Sequence, residues 1–243
     1  MSSVRLGCLS HRPCMAAFAV ALCLSAHAAA DIVIDDFTSV GAPNPWPAGQ
    51  SAPGNNLITE VSLANVLGNV RQTTVFGQSF ESGGDLVTVS IAAGRLSYAS
   101  SGGADGAMGL FYTGFPAGLG LNMTNELGVQ LDFAAFGFVG RGDGEGGSAN
   151  VTVDIFDGSQ NANMSQMIGG FGPQSMVFNL TEFSNVGSLD LSHINRITVS
   201  IDPLGSDVDF ELDRIFTITI PSPGAIAALA VAGLLSSRRR RQR

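Results

Sequence analysis

A period of two in the hydrophobic pattern restricts this chain to β structure. Val129, Leu131 and Phe133 alternate with Gln130 and Asp132, and Val151, Val153 and Ile155 with Thr152 and Asp154. Ile197, Val199 and Ile201 alternate with Thr198 and Ser200, and Val208, Phe210 and Leu212 with Asp207, Asp209, Glu211 and Asp213. Neighbouring side chains on a strand point to opposite faces, so each run has one apolar and one wet face. Asp31–Phe37, Asp85–Ala92, Arg95–Ser100, Ala107–Tyr112 and Ser175–Leu180 are further strand candidates. Turn signals such as Gly102-Gly103, Asp157-Gly158 and Asp202-Pro203 separate the runs, and the 31 glycines supply many more. No internal repeat stands out, which disfavours a solenoid or propeller. The expectation is an all-β fold of about nine strands with little helix, closed as one antiparallel β-sandwich.

Charge is distributed unevenly. All 20 acidic residues lie between Asp31 and Asp213, and the body from Asp31 to Thr219 holds five arginines, Arg71, Arg95, Arg141, Arg196 and Arg214, so it carries −15; the chain has no lysine. Such a surface repels phosphate backbones and argues against nucleic-acid binding. It favours hard cations with oxygen ligands, such as Ca²⁺, or serves solubility alone. The three cysteines, Cys8, Cys14 and Cys23, precede this body. The body therefore has no disulfide, thiolate metal site or cysteine nucleophile.

Both ends read as addresses. Arg5 and Arg12 precede an apolar run from Met15 to Leu24, followed by Ala26-His27-Ala28. That order of basic, apolar and small residues marks residues 1–30 as a signal peptide for an ordinary signal peptidase. The run is too short to span a bilayer, which takes about 20 apolar residues. At the other end, Pro221-Ser222-Pro223 precedes an apolar run Ala225–Leu235 and then Arg238, Arg239, Arg240 and Arg241. The arginines would stay cytoplasmic. This order resembles the PEP-CTERM sorting signal, with Ser222 where Glu is usual. The resemblance implies processing by an exosortase, a short hydrophobic sorting helix that holds the membrane only transiently, and delivery to the cell surface or extracellular matrix, often among polysaccharide. The expected division is 1–30 signal peptide, 31–219 β-sandwich and 220–243 sorting tail.

The body's opening, Ile34-Asp35-Asp36-Phe37 followed by Trp46, is similar to that of galactose-binding-like jelly rolls. So is its end, His193-Ile194-Asn195-Arg196-Ile197 and then Phe210-Glu211-Leu212-Asp213-Arg214-Ile215. Many carbohydrate-binding modules share that architecture. The resemblance implies a structural Ca²⁺ where first and last strands meet, held by Asp35 or Asp36 and Asp213. It also draws attention to Trp46, in Pro43-Asn44-Pro45-Trp46-Pro47, as a surface on which a sugar ring could stack, with Tyr98 and Tyr112 assisting. The alternative is a Trp that caps the core beneath a loop.

Nothing in the body assembles a catalytic set. His193 is its one histidine, too few for a triad or a histidine zinc site. The Asp207, Asp209, Glu211 and Asp213 ladder reads as a solvated edge face, with Arg196 the candidate partner of one member, rather than as a glycosidase pair. Gly140–Gly147 reads as a hairpin tip. The expectation is an exported, non-enzymatic surface protein that interacts with extracellular polysaccharide. The alternatives are a carbohydrate-binding module with a defined ligand site, or a glycan hydrolase.

Overall fold

The computed structural model describes residues 30–41, 46–81, 83–114, 117–137, 147–205 and 207–220. The signal peptide, the Pro221–Pro223 motif with its arginines, and most of the Gly140–Gly147 loop lie outside the described residues. Asp31–Thr219 forms one compact unit.

The strands are β1 (Val33–Asp35), β2 (Ala48–Gln50), β3 (Gly54–Val61), β4 (Val70–Phe80), β5 (Val87–Ala92), β6 (Arg95–Ser100), β7 (Ala104–Tyr112), β8 (Glu126–Phe136), β9 (Ser148–Phe156), β10 (Asn161–Gly169), β11 (Gln174–Asn179), β12 (Arg196–Pro203) and β13 (Phe210–Thr219). Among the described residues there is no α-helix; the helical pieces are short 3-10 turns such as Leu180–Glu182. No helix among them is long and apolar enough to cross a membrane. The strands form two sheets, the fold class the alternation predicts. One has seven strands in the order β11-β8-β13-β6-β5-β2, with β1 also on β13, and the other six in the order β10-β9-β12-β7-β4-β3. Every pairing is antiparallel.

The core lies between the sheets and is made by the apolar members of the alternating runs. Val151, Val153, Ile155, Ile197, Val199 and Ile201 are all 0% exposed. Burying each of these side chains contributes about 1.5–3 kcal/mol. Tyr98 stacks on Phe210, centroids 4.9 Å apart, and its hydroxyl donates 2.7 Å to the Gly106 carbonyl, tying β6 of one sheet to β7 of the other.

The acidic ladder expected near the C-terminus is not an edge. β13 begins at Phe210 and sits inside its sheet, between β8 and β6, with β1 against its second half. Asp207 and Asp209 precede the strand, and a bulge between Leu212 and Arg214 breaks the alternation beyond Glu211. The partner is also different: Arg95 on β6, not Arg196, meets Glu211 at 2.7 Å.

Candidate functional site

The three aspartates expected to clamp a Ca²⁺ are not gathered around one point. The first and last strands do meet, with Asp35 opposite Ile215, but the side chains diverge. Asp35 turns into the sandwich and is 0% exposed. Asp36 Oδ1 instead accepts from the Thr38 amide at 3.1 Å and its hydroxyl at 2.6 Å. Asp213 stands half-exposed, 4.0 Å from Arg95. Among the described residues no three His, Cys, Asp or Glu side chains are placed to hold one metal ion.

What answers Asp35 is Arg71, which the sequence did not single out. On β4 the alternation places Arg71, Thr73 and Val75 on the buried face. The Arg71 Nη1 donates to both Asp35 oxygens, at 3.1 and 2.8 Å, and its Nε to Glu60 Oε2 at 2.8 Å. Its Nη2 donates to the Ser39 carbonyl at 3.0 Å. Asp35 also accepts from the Phe37 amide at 2.8 Å and the Tyr112 hydroxyl at 3.1 Å. Burial still holds the Asp35 carboxyl above its ordinary value, and burial together with Asp35 pushes the Tyr112 phenol well up. The network reaches Trp46, whose indole N–H donates to Glu60 Oε1 at 3.2 Å. Trp46 is half-buried and packs against the core. These groups satisfy one another, as a buried ion cluster must.

The outer face of the six-stranded sheet is built differently. Antiparallel register sets its rows. Asn163, Asp154, Thr198, Phe111, Gln72 and Thr59 lie side by side across β10, β9, β12, β7, β4 and β3. In the next row stand Ser165, Thr152, Ser200, Gly109, Thr74 and Leu57. This is mostly a surface of hydroxyls and amides. Thr152 and Ser165 hydroxyls pair at 2.8 Å, and Gln78 Nε2 donates to Asp202 Oδ1 at 3.0 Å across the sheet.

Two aromatic rings interrupt that polar surface. A Cβ on Gly109 would sit 3.1 Å from the Phe111 ring and 3.9 Å from that of Phe76, so both rings reach over the glycine. Phe76 is 37% exposed and Phe111 half-buried. They make one apolar platform near the middle of the sheet, bordered by Gln72, Thr198 and Ser200.

Towards β9 the face carries a loosely closed charge pair. Arg196 Nη2 and Asp154 Oδ1 are 3.9 Å apart, with the side chains 39% and 21% exposed. Arg196 Nε and Asp154 Oδ1 have no hydrogen-bond partner. The guanidinium lies 4.7 Å from the Phe156 ring centre, which holds its plane in place. The alternation held a signal for part of this, since Phe156 falls in step with Thr152 and Asp154 on the wet side. Phe76 gave none, because β4 hides its polar members.

No family model matches the chain, and no curated protein matches it. The sandwich is similar to a family 11 carbohydrate-binding module from Clostridium thermocellum, solved in complex with a β-1,3-1,4-mixed-linked tetrasaccharide (16% identity over 78% of this chain and 95% of that one, TM-score 0.39). It is also similar to a family 28 carbohydrate-binding module specific for non-crystalline cellulose (14% identity, 55% of this chain, 77% of that one, TM-score 0.33). An exo-β-agarase is similar over 22% of its length (18% identity, 62% of this chain, TM-score 0.34). These likenesses map no ligand contact onto this chain.

Proposed function

We propose that this chain is an exported, exosortase-sorted cell-surface or extracellular-matrix protein whose β-sandwich engages polysaccharide without turning it over. The observation that carries the binding part is the outer face of the six-stranded sheet. Sugars present an apolar C–H side and a rim of hydroxyls, and this face presents Phe76 and Phe111 over Gly109 among Ser, Thr, Asn and Gln side chains. Protein sites for small polar ligands combine the same two elements, an apolar surface and a few placed hydrogen-bonding groups. Trp46 has a different office in this reading: its N–H is committed to Glu60 and its ring to the core.

One carboxylate pair bears on the hydrolase alternative. Burial, then Asp202, raises the Asp105 carboxyl above its ordinary value. Asp202 is itself engaged by Gln78. Incubation with polysaccharide is expected to release no new reducing ends; turnover lost in Asp105→Asn would make the protein a hydrolase.

The binding reading is tested by retention of the exported protein on matrix polysaccharide from the cells that make it. Phe111→Ala is expected to weaken retention about tenfold, equivalent to ~1.4 kcal/mol, while Trp46→Phe leaves it unchanged. Equal retention of wild type and Phe111→Ala would remove the platform from the binding surface.

The address is tested by mass spectrometry of both termini after cell fractionation. The expected protein begins between Ala29 and Asp31, ends near Pro221–Pro223 and resides in the envelope or matrix. An inner-membrane protein that keeps Arg238–Arg241 would be an ordinary membrane-anchored one, and the sorting proposal would fall.

A further inference from the structure

From the same face, and resting on the polysaccharide reading, we infer that the ligand is the interior of a linear, uncharged glycan. Its chain lies diagonally across the sheet from Phe76 through Phe111 to Arg196 and Asp154. Phe76 on β4 lies opposite Ala107 on β7, and Phe111, four residues further along β7, lies opposite Thr198 on β12. Arg196 is two residues beyond Thr198 and opposite Phe156 on β9. With strands about 4.8 Å apart and a rise of about 3.4 Å per residue, Phe76 and Arg196 are separated by about 22 Å. That is longer than one sugar ring and suits an extended run of several.

The contacts change character along this diagonal. At the Phe76 and Phe111 end they are apolar, suited to the C–H side of a ring. At the Arg196 end a donor and an acceptor stand side by side, suited to neighbouring hydroxyls, each of which can donate and accept. Arg196 and Asp154 are 3.9 Å apart with side chains 39% and 21% exposed, so a hydroxyl can approach the guanidinium and the carboxylate from solvent, while Arg196 Nε and Asp154 Oδ1 lie buried beneath that surface. Phe156, beneath the guanidinium, is a positioning residue.

The charges argue for a neutral polymer. The body carries −15, which repels polyanions. Asp154 already faces Arg196, and Asp202 already accepts from Gln78, so neither carboxylate calls for a cationic sugar. The surface between them is made of hydroxyls, amides and rings. A terminal sugar would call for an enclosing pit; Phe76, Ser165 and Ser200 instead stand exposed on a sheet surface.

The test uses the exported protein and two probes: the neutral fraction of the producing cells' matrix polysaccharide, and its acid hydrolysate separated by size. Affinity is expected to rise with fragment length and level off once fragments span the diagonal. Monosaccharides should compete at least about a hundredfold less well than the polymer, a difference of ~2.7 kcal/mol. Phe76→Ala and Arg196→Gln, at opposite ends and both exposed enough to leave folding intact, should each weaken the long fragments about tenfold. Raising salt from about 0.05 to 0.5 M should change little, because no net charge is neutralised. Monosaccharides that compete as well as the polymer, or binding abolished by salt, would overturn the inference while leaving polysaccharide binding in place. Loss of retention on every fraction would overturn the binding reading itself and this inference with it.

Discussion

Replacing Arg71 by methionine is expected to cost the domain about 3–5 kcal/mol, the usual penalty for removing one partner of a buried ion pair. Over a unit of this size that lowers the melting temperature by about 10 °C. The loss has a specific origin. Asp35 and Glu60 are 0% and 3% exposed, and Arg71 is the cation that meets both. Methionine fills much of the volume but leaves two carboxylates in the interior. Burial raises the proton affinity of Asp35 in the folded state, and its carboxyl already stands above its ordinary 3.8 with Arg71 present. Between that ordinary value and the raised one, the folded variant holds a proton that the unfolded chain releases, so its stability falls as pH rises. The deficit against wild type should therefore narrow from about pH 8 to about pH 5. Adding Asp35→Asn and Glu60→Gln to Arg71→Met should recover most of the loss at neutral pH. A deficit independent of pH and not recovered by those changes would mean that the cost lies in packing around β4 and not in the uncompensated carboxylates.

The same strand shows where the sequence was opaque. The period-two reading assumes that apolar residues point inward, and it found β8, β9, β12 and the start of β13 because they obey it. β4 inverts the rule: Arg71 and Thr73 point in, and Phe76 points out. The inward arginine is tolerable because Asp35 and Glu60 lie 36 and 11 residues away in sequence yet within 2.8 Å of it. No local pattern announces such a partner. β10 was missed for a related reason. Its residues, Asn161 to Gly169, are largely polar, because an edge strand with one wet face needs few apolar anchors, chiefly Ala162 and Ile168.

The proposed ligand face follows the same division. Its hydroxyl and amide rows were visible as the polar members of β9 and β12. The platform was not, since it depends on Gly109, Phe111 and Phe76 being brought together by the register of β4 and β7. The three aspartates do not converge on one point, and the reason lies at a finer level. The meeting of first and last strands, implied by the jelly-roll resemblance, is present, but the direction of the Asp35 side chain was decided by Arg71.

Phe210→Ala is the other substitution expected to have a large effect, about 3–5 kcal/mol. Phe210 is 1% exposed and lies nearly parallel to Tyr98, 5° between planes. Its ring also meets Phe133 edge-on at 5.8 Å and Phe136 at 6.1 Å. The cluster therefore joins β13 to β6 and β8, and through the Tyr98 hydroxyl to β7 of the opposite sheet. Truncation opens a cavity bounded by three rings and leaves Tyr98 without the surface that orients it, so collapse can recover only part of the lost packing. Phe210→Leu should cost less, because it keeps much of the volume. Arg214→Ala, four residues along the same strand, removes an exposed pair with Asp132 and should cost under about 1 kcal/mol. Denaturant melts of the three variants would rank them in that order. A cost for Phe210→Ala no greater than for Arg214→Ala would mean that the aromatic cluster is not what pins the last strand. Because Phe210 lies in the seven-stranded sheet and the proposed ligand face is the outer surface of the other, Phe210→Ala below its melting temperature should bind polysaccharide as wild type does. Stability and binding are then separable by mutation, which is expected when the core holds the sandwich together and the ligand meets a face the core does not use.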